Sequence, residues 1–353
     1  MAIAEDGESG IDGDGPHGVW AEIRDAVTPR TFLLVLGTLA LGLGFVLSYV
    51  GALHDPRLQN LPVTVVSTSP QVTGQVVSQL SSALPPGIIV PSAGTTVAAA
   101  GEQVRDRQTG AAFVYNPSGT QDTLIVASAA GAAQARAVAG LFTAIDQQQG
   151  RTLAVEDVVP AGSKDFNGLS TFYLVVGWCV TGYLIAAILG ISAGARPSTM
   201  TRAVIRLVAI AVTGFVAAIL GTLIVQHSLG ALGGQFWPMV ATGTLLVFGV
   251  GAITMVFQIA FGVIGIGLAV LLIVVLGNPS AGGAFPRSML PPFWRAIGAF
   301  LPPGAGTDAV RSIVYFGGAQ TGYPLLIIAG YALLGVLLSV LLCALKPARP
   351  AQK

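Results

Sequence analysis

The sequence predicts a polytopic α-helical membrane protein with six transmembrane helices and an extracytoplasmic α/β domain inserted between helices 1 and 2. Three observations carry this. Of the 353 residues, 53% are hydrophobic and only 9% are charged, against about 25% charged in an ordinary soluble domain. Several uncharged apolar runs reach the ~20 residues that a helix needs to cross a bilayer. One long stretch, residues 52–169, breaks that pattern and alternates strand and helix signals. The same composition excludes other classes. A disordered chain would be far less hydrophobic. Seventeen Lys+Arg against 16 Asp+Glu leave a net charge of +1, so no basic excess exists to neutralise the phosphates of a nucleic acid.

Residues 1–18 are Gly- and acid-rich (Glu5, Asp6, Glu8, Asp12, Asp14) and are expected to be disordered. In residues 19–30, Val19, Trp20, Ile23 and Val27 share one helical face, with Glu22, Arg24 and Asp25 elsewhere. This reads as a cytoplasmic amphipathic helix at the membrane surface, or as a lead-in to helix 1. Thr28-Pro29 suits the cap and first position of a new helix. Helix 1 is expected at 31–51. Its long acidic lead and its length speak for an uncleaved anchor over a signal peptide.

Within 52–169, residues 62–67 are β-branched and strand-like, 71–84 have helical spacing, and 95–107 read as a helix ending in charge. Residues 111–115 and 123–128 read as strands around Asn116-Pro117-Ser118-Gly119, a strong turn signal. A helix follows at 130–148, with Ala137, Leu141 and Ile145 on its apolar face, and then a strand at 153–159. The expectation is one small sheet covered by helices.

The remaining spans fall in 170–346. Helices 2 and 3 are expected at 170–191 and 207–225. Residues 238–276 are uncharged over about twice the length of a single span, so two helices are expected there, with a tight turn near Gln258 and Gly262. Helix 6 is expected at 323–345, before a cytoplasmic tail at 347–353. Arg24, Arg30, Arg196, Arg202, Arg206, Lys346, Arg349 and Lys353 all flank the side that an even number of spans assigns to the cytoplasm. Only Arg287, Arg295 and Arg311 fall in the short segment opposite. Both termini are therefore expected in the cytoplasm, and the 52–169 domain outside it.

That opposite segment, 278–318, is rich in Pro and Gly: Pro279, Gly282, Gly283, Pro286, Pro291, Pro292, then Phe293 and Trp294. Pro291-Pro292 are expected to start a short helix at 293–301 that Pro302-Pro303 stop. Thr307 is expected to cap a second helix at 308–316, ended by Gly317-Gly318. The segment reads as a re-entrant structure satisfied by surrounding protein, or as an ordinary outer loop.

Chemistry-bearing groups are sparse. Cys179 and Cys343 lie inside apolar helices, so disulfide, metal and redox readings find no support and no cofactor is expected. The acids of 52–169 (Asp55, Glu102, Asp106, Asp122, Asp146, Glu156, Asp157, Asp165) are scattered, and its one histidine is His54. Glu156-Asp157 are neighbours on a strand and point to opposite faces. Lys164-Asp165 read as an exposed linker. A recognition domain is expected here, not a catalytic one. No Asp, Glu, Lys or Arg stands in the middle of a span, so a proton-driven exporter lacks its relay. The polar groups of the spans are Gln226, His227 and Gln258. Small residues at four-residue spacing, Gly182, Ala186, Gly190 and Gly194 in helix 2, Ala40, Gly44 and Ser48 in helix 1 and Gly335, Ser339 and Cys343 in helix 6, are a helix-packing signal.

The layout of one helix, an α/β domain and five more helices resembles the ABC-2 type transporter permeases, in particular the YhgE/Pip (phage infection protein)-like branch. The matching residues are Asp157-Val158-Val159-Pro160, Gly168-Leu169-Ser170, Gly277-Asn278-Pro279-Ser280, Gly282-Gly283, Leu290-Pro291-Pro292 and Leu301-Pro302-Pro303. The resemblance implies a permease subunit in a bacterial cell membrane. It would form a homodimer or heterodimer among membrane lipid and export an apolar or amphipathic substrate, driven by a separate ATP-binding subunit. Trp20, Ile23, Arg24, Arg196 and Arg202 would then touch the ATPase. Pro279, Gly282, Gly283, Pro291, Pro292, Trp294, Pro302 and Pro303 would form re-entrant helices at the outer gate. The chain carries no Walker A sequence, since none of Lys164, Lys346 and Lys353 follows a GxxxxG, so the resemblance implies no enzyme activity of its own. The competing expectation is a non-transporting scaffold or receptor whose outer domain binds a cell-envelope, secretion or phage partner. A membrane-embedded enzyme finds no clustered His, Asp or Glu.

Overall fold

A computed structural model describes residues 28–345. The expected disordered segment 1–18, the tail 347–353, and Trp20, Ile23 and Arg24 of the amphipathic segment lie outside the described residues. The chain divides into two units, residues 1–44 and 45–353. The described part of the first is the start of helix α1 (Pro29–Leu53). The Thr28 hydroxyl accepts from the Thr31 N–H at 3.1 Å, and Pro29 fills the first position, where no N–H partner is needed.

In the second unit the chain leaves the end of α1 for a sheet domain. Its elements are β1 (Leu61–Val66), α2 (Pro70–Ala83), β2 (Ile89–Ala93), α3 (Val97–Arg105), β3 (Ala111–Val114), β4 (Gln121–Val126), α4 (Ala132–Gln148) and β5 (Thr152–Asp157). The sheet order is β2-β1-β3-β4-β5; only the β3–β4 pair is antiparallel. Strand β1 is buried on both faces, as a parallel strand covered by helices requires. Val63 and Val65 meet Val76 and Leu80 of α2 and Val138 and Phe142 of α4. Val66 faces the other way, with Ala100 and Val104 of α3. Phe113 stacks on Phe142 with centroids 4.6 Å apart.

Two details depart from expectation. Strand β2 has no counterpart in the sequence reading, because Pro91 interrupts its pattern. It is an edge strand, where a missing N–H costs nothing. The buried face of α4 is turned by one residue: Val138 and Phe142 are fully buried, while Ala137, Leu141 and Ile145 flank them half-buried. The larger aromatic ring decides which stripe faces the sheet.

Five helices are long and apolar enough to cross a membrane: Thr31–Leu53, Ser170–Ser192, Met200–Ser228, Phe236–Phe261 and Gly322–Leu345. The last four are α5, α6 (whose final turn, Ile224–Ser228, is a π-helix), α7 and α11. The second half of the 238–276 run forms α8, Ile264–Ser280, of no more than 17 residues. At about 1.5 Å per residue it is shorter than the ~30 Å hydrocarbon core. The turn between α7 and α8 stands at Gly262, whose φ of +65° suits glycine. Gln258 is not in that turn; it is buried one helical turn earlier, inside α7.

Helix α7 is the central helix, packed against α5, α6 and α11. Small residues let it in. A Cβ on Gly182 would stand 2.7 Å from the Val247 carbonyl oxygen, and one on Gly335 2.6 Å from Ala252 Cβ. Ala186 and Gly190 are buried on the same side of α5. Gly194 lies past the end of α5 at Ser192, with φ +82°, and serves the turn instead of the packing stripe. The outer faces of these helices expose Ile188, Ile191, Val212, Leu326 and Leu333, which only an apolar solvent covers without cost.

Candidate functional site

The Pro/Gly-rich segment is a buried, broken structure. Helix α8 ends at Ser280, and the chain turns at Gly282 (φ +76°). It passes a short 3-10 turn (Arg287–Met289) and then forms α9 (Pro292–Gly298) and α10 (Pro302–Tyr315). Pro302-Pro303 therefore begin a helix instead of stopping one. They occupy the first turn, whose N–H groups have no intrahelical partner. Thr307 is not a cap. It lies fully buried within α10, and its hydroxyl donates to the Pro303 carbonyl at 2.7 Å. The end at Gly317-Gly318, both with positive φ, is as expected.

Every residue of α10 from Pro302 to Ile313 is buried. Glycine makes the close approach possible. A Cβ on Gly304 would overlap the Gly298 carbonyl oxygen, and one on Gly298 the Ser280 carbonyl oxygen. Gly306 faces Val175 of α5 and Leu246 of α7, and Gly283 lies on the Phe172 ring. Pro279 is buried, while Pro291 and Trp294 are half-buried. Trp294 lies against Gly51 at the end of α1. The chain after α1 is tied to the same segment: Gln59 N donates to Ser288 O (2.9 Å), and Arg295 Nη1 donates to Gln59 O (3.2 Å).

Helix α10 also meets the sheet domain. Arg107, in the α3–β3 turn with φ +58°, donates to the Ser312 hydroxyl and lies 3.4 Å from the Asp308 carboxylate. Arg287 pairs with the same carboxylate at 2.5 Å. Arg311 is 3% exposed and donates to Gly282 O at 3.1 Å. Burial pushes its guanidinium down to about 10, with Asp308 opposing the fall, so it stays cationic at neutral pH. Asp165 is not an exposed linker residue. It is 4% exposed, accepts from Ser170 N (2.8 Å) and from the Tyr315 hydroxyl (2.6 Å), and caps the start of α5. Burial and that carboxylate hold the Tyr315 phenol above its usual range. Sequence reasoning missed Arg107, Asp308 and Arg311 as a cluster. The only available signal was Asp308 and Arg311 three apart on an otherwise apolar short helix.

A cavity of about 610 Å³ opens where the start of α7, the end of α10 and the start of α11 meet. Pro238, Leu245, Ile313, Leu325 and Ala329 give it an aliphatic lining. Its threonine hydroxyls are already used: Thr242 donates to Pro238 O and Thr321 to Gly318 O. Apart from the Gln235 amide, the cavity offers mainly dispersion and apolar burial, which suits an acyl or other hydrocarbon moiety. Trp237 and Tyr323 are exposed next to lining residues in the sequence, and exposed Phe300 packs edge-on to Tyr323 with centroids 6.4 Å apart, an aromatic set of the kind found at membrane–water boundaries.

Of the expected docking arginines, Arg196 lies in the α5–α6 connection and Arg202 in the first turn of α6; Arg206, one turn further on, is not among them. Arg196 Nε donates to Ile259 O at 2.7 Å, and Arg206 Nη2 to Ala193 O and Gly194 O at 2.7 and 2.8 Å. Both satisfy orphan carbonyls at helix C-termini. Arg202 is exposed. In the sheet domain, Asp122 is 1% exposed. Arg151 holds it through two bonds of 2.6 Å and also donates to Gly119 O and Asn116 O, fixing the β3–β4 turn. Asp157 accepts from Ser128 N and Val159 N, a local structural role. His227 is exposed at the π-helical end of α6. Among the described residues no three His, Cys, Asp or Glu side chains gather as metal ligands. Comparison of the chain with protein-family models, with curated proteins and with solved structures finds no match.

Proposed function

We propose that the chain is the membrane permease subunit of an ABC-2 type exporter in a bacterial cell membrane, moving an apolar or amphipathic substrate outward with a separate ATPase subunit. The single observation that carries the reading is the aliphatic 610 Å³ cavity beside the buried, broken α9–α10 segment. A hydrocarbon-lined recess next to non-helical backbone that protein shields is what a lipid-like cargo needs at the end of its path. In this reading α8 and the buried broken segment that follows it together make the sixth crossing, both termini are cytoplasmic, and the sheet domain lies outside. Arg202 and the 19–30 segment face the ATPase, and two permease chains pair.

The test is to delete the gene and compare lipids and small molecules in the medium with those in the cell. Wild type should restore one apolar or amphipathic species to the outside, and Ala329→Trp, which fills the cavity, should not. Identical profiles with and without the chain would refute export. A second reading, a scaffold or receptor, draws on the sheet: its edge strands β2 and β5 expose Val90 and Val155, and an open edge accepts another strand. That reading predicts function surviving changes at Pro291, Pro292 and Trp294 but lost on deletion of 60–160.

A further inference from the structure

A second cavity, of about 220 Å³, lies between the sheet domain and the broken segment. It is lined by Arg107, Arg287 and Arg311 with Asp308, and by the uncharged polar side chains of Gln134 and Ser288. The three guanidiniums come from three separate places in the chain: the α3–β3 turn, the 3-10 turn and α10. Asp308 is the one carboxylate in the lining; it pairs with Arg107 and Arg287 but not with Arg311, so the formal charge of the lining is +2. Arg311 is 3% exposed, and its Nε has no hydrogen-bond partner among the described residues. Arg107 holds its place from a backbone conformation that a non-glycine residue seldom adopts. Uncompensated buried charge is costly, and burial is tolerated when the charge is paired. Ser288 donates to Gln134 Oε1 and Thr109 donates to Pro62 O, so the three guanidiniums are the cationic donors of the cavity, each with N–H groups beyond those its protein partners use.

We propose that this cavity binds a phosphate group, held by the forked guanidiniums of Arg107, Arg287 and Arg311. Planar, fixed N–H pairs match a tetrahedral oxyanion in two-point contacts, which a carboxylate-rich or neutral pocket does not offer. The cavity is several times the ~30 Å³ that one water occupies in the liquid. The phosphate would neutralise the surplus charge and join the sheet domain to α10. It has two possible sources, a free phosphate or the headgroup of an anionic phospholipid. The site stands apart from the 610 Å³ cavity and holds whether or not the chain exports anything.

The test uses the full chain in non-ionic detergent. One arm titrates inorganic phosphate at constant ionic strength and reads binding by calorimetry. The other adds phosphatidylglycerol to the micelles and counts retained lipid by native mass spectrometry. Each is run on wild type, R287Q and D308N. Arg287 is partly exposed, so its loss should leave the fold intact. We expect saturable binding in one arm, weakened about tenfold or more in R287Q by loss of a charge-assisted contact. In D308N, where a competing carboxylate is gone, binding should tighten about tenfold, a gain that misfolding cannot imitate. Binding of inorganic phosphate names the free anion; binding of phosphatidylglycerol alone names the headgroup. Absence of binding in both arms overturns the proposal, as does binding that is unchanged in both R287Q and D308N.

Discussion

Gly304 gives the sharpest test of how the broken segment is built. In Gly304→Ala the new Cβ would overlap the Gly298 carbonyl oxygen and lie 2.9 Å from its carbonyl carbon. The obstacle is backbone, so no side chain can swing away. Gly298 is itself held, because its own Cβ position is occupied by the Ser280 carbonyl. Helix α10 must therefore move, and it is buried from Pro302 to Ile313. Overpacking typically costs about 1–3 kcal/mol, and more where nothing yields, so about 3 kcal/mol is expected. At about 2.1 cal/mol/K per residue, a 353-residue chain shifts its melting temperature by about 1.3 °C per kcal/mol, so the drop should be roughly 4 °C. Gly330→Ala in α11 is the control. Nothing lies within 4 Å of its Cβ position, and helix propensity favours alanine by about 0.5–1 kcal/mol. Cys179 is 1% exposed, so a thiol-reactive dye in a Cys343→Ser background reports unfolding directly. Equal melting temperatures for Gly304→Ala and Gly330→Ala would refute the close approach of α9 and α10.

The sheet domain and the loops give three further expectations. Arg151→Met leaves Asp122 buried without its partner, which typically costs about 3–5 kcal/mol; chemical denaturation followed by circular dichroism should show this loss, and a loss below about 1 kcal/mol would contradict the buried pair. Asp146 is raised from 3.8 to about 6, first by burial, then by Asp122, with Arg151 opposing. An acid raised in the fold stabilises it below its ordinary value, and that contribution is lost as pH rises through the folded value. Discounted for solvent screening, about 1–2 kcal/mol should disappear between about pH 4 and pH 7; Asp146→Asn should flatten this slope in pH-dependent melting, and an unchanged slope would exclude Asp146 as its source. Arg196→Ala should lower stability by about 1 kcal/mol through the lost helix-end contacts, whereas Arg202→Glu should leave melting unchanged and weaken ATPase association, measured by pull-down.

The membrane class and most elements were legible because they rest on periodicity and charge, which act locally. Thr28-Pro29, the Asn116–Gly119 turn and the positive-φ glycines at 262, 317 and 318 carry their conformational meaning in their own residue types. The tertiary choices were not legible. Pro302-Pro303 stop a preceding helix or start a following one with the same chemistry, and only the burial of α10 decides between them. Pro91 hid β2 because an edge position cannot be told from a break in the chain. The charged cluster escaped notice because Arg107 and Asp308 lie 201 residues apart in the chain and meet only across the fold. Arg287, Arg295 and Arg311 ran against the charge bias of the short segments; each now has a partner within the protein.

The central claim is a permease driven by another chain. Its most direct test is mild-detergent purification of the tagged full-length chain from its own cells, with mass spectrometry of whatever remains bound. The account predicts a near-stoichiometric ATPase carrying a Walker motif, released when Arg202 is reversed in charge. Recovery of envelope or secretion proteins with no such ATPase would contradict it and place the function in the sheet domain.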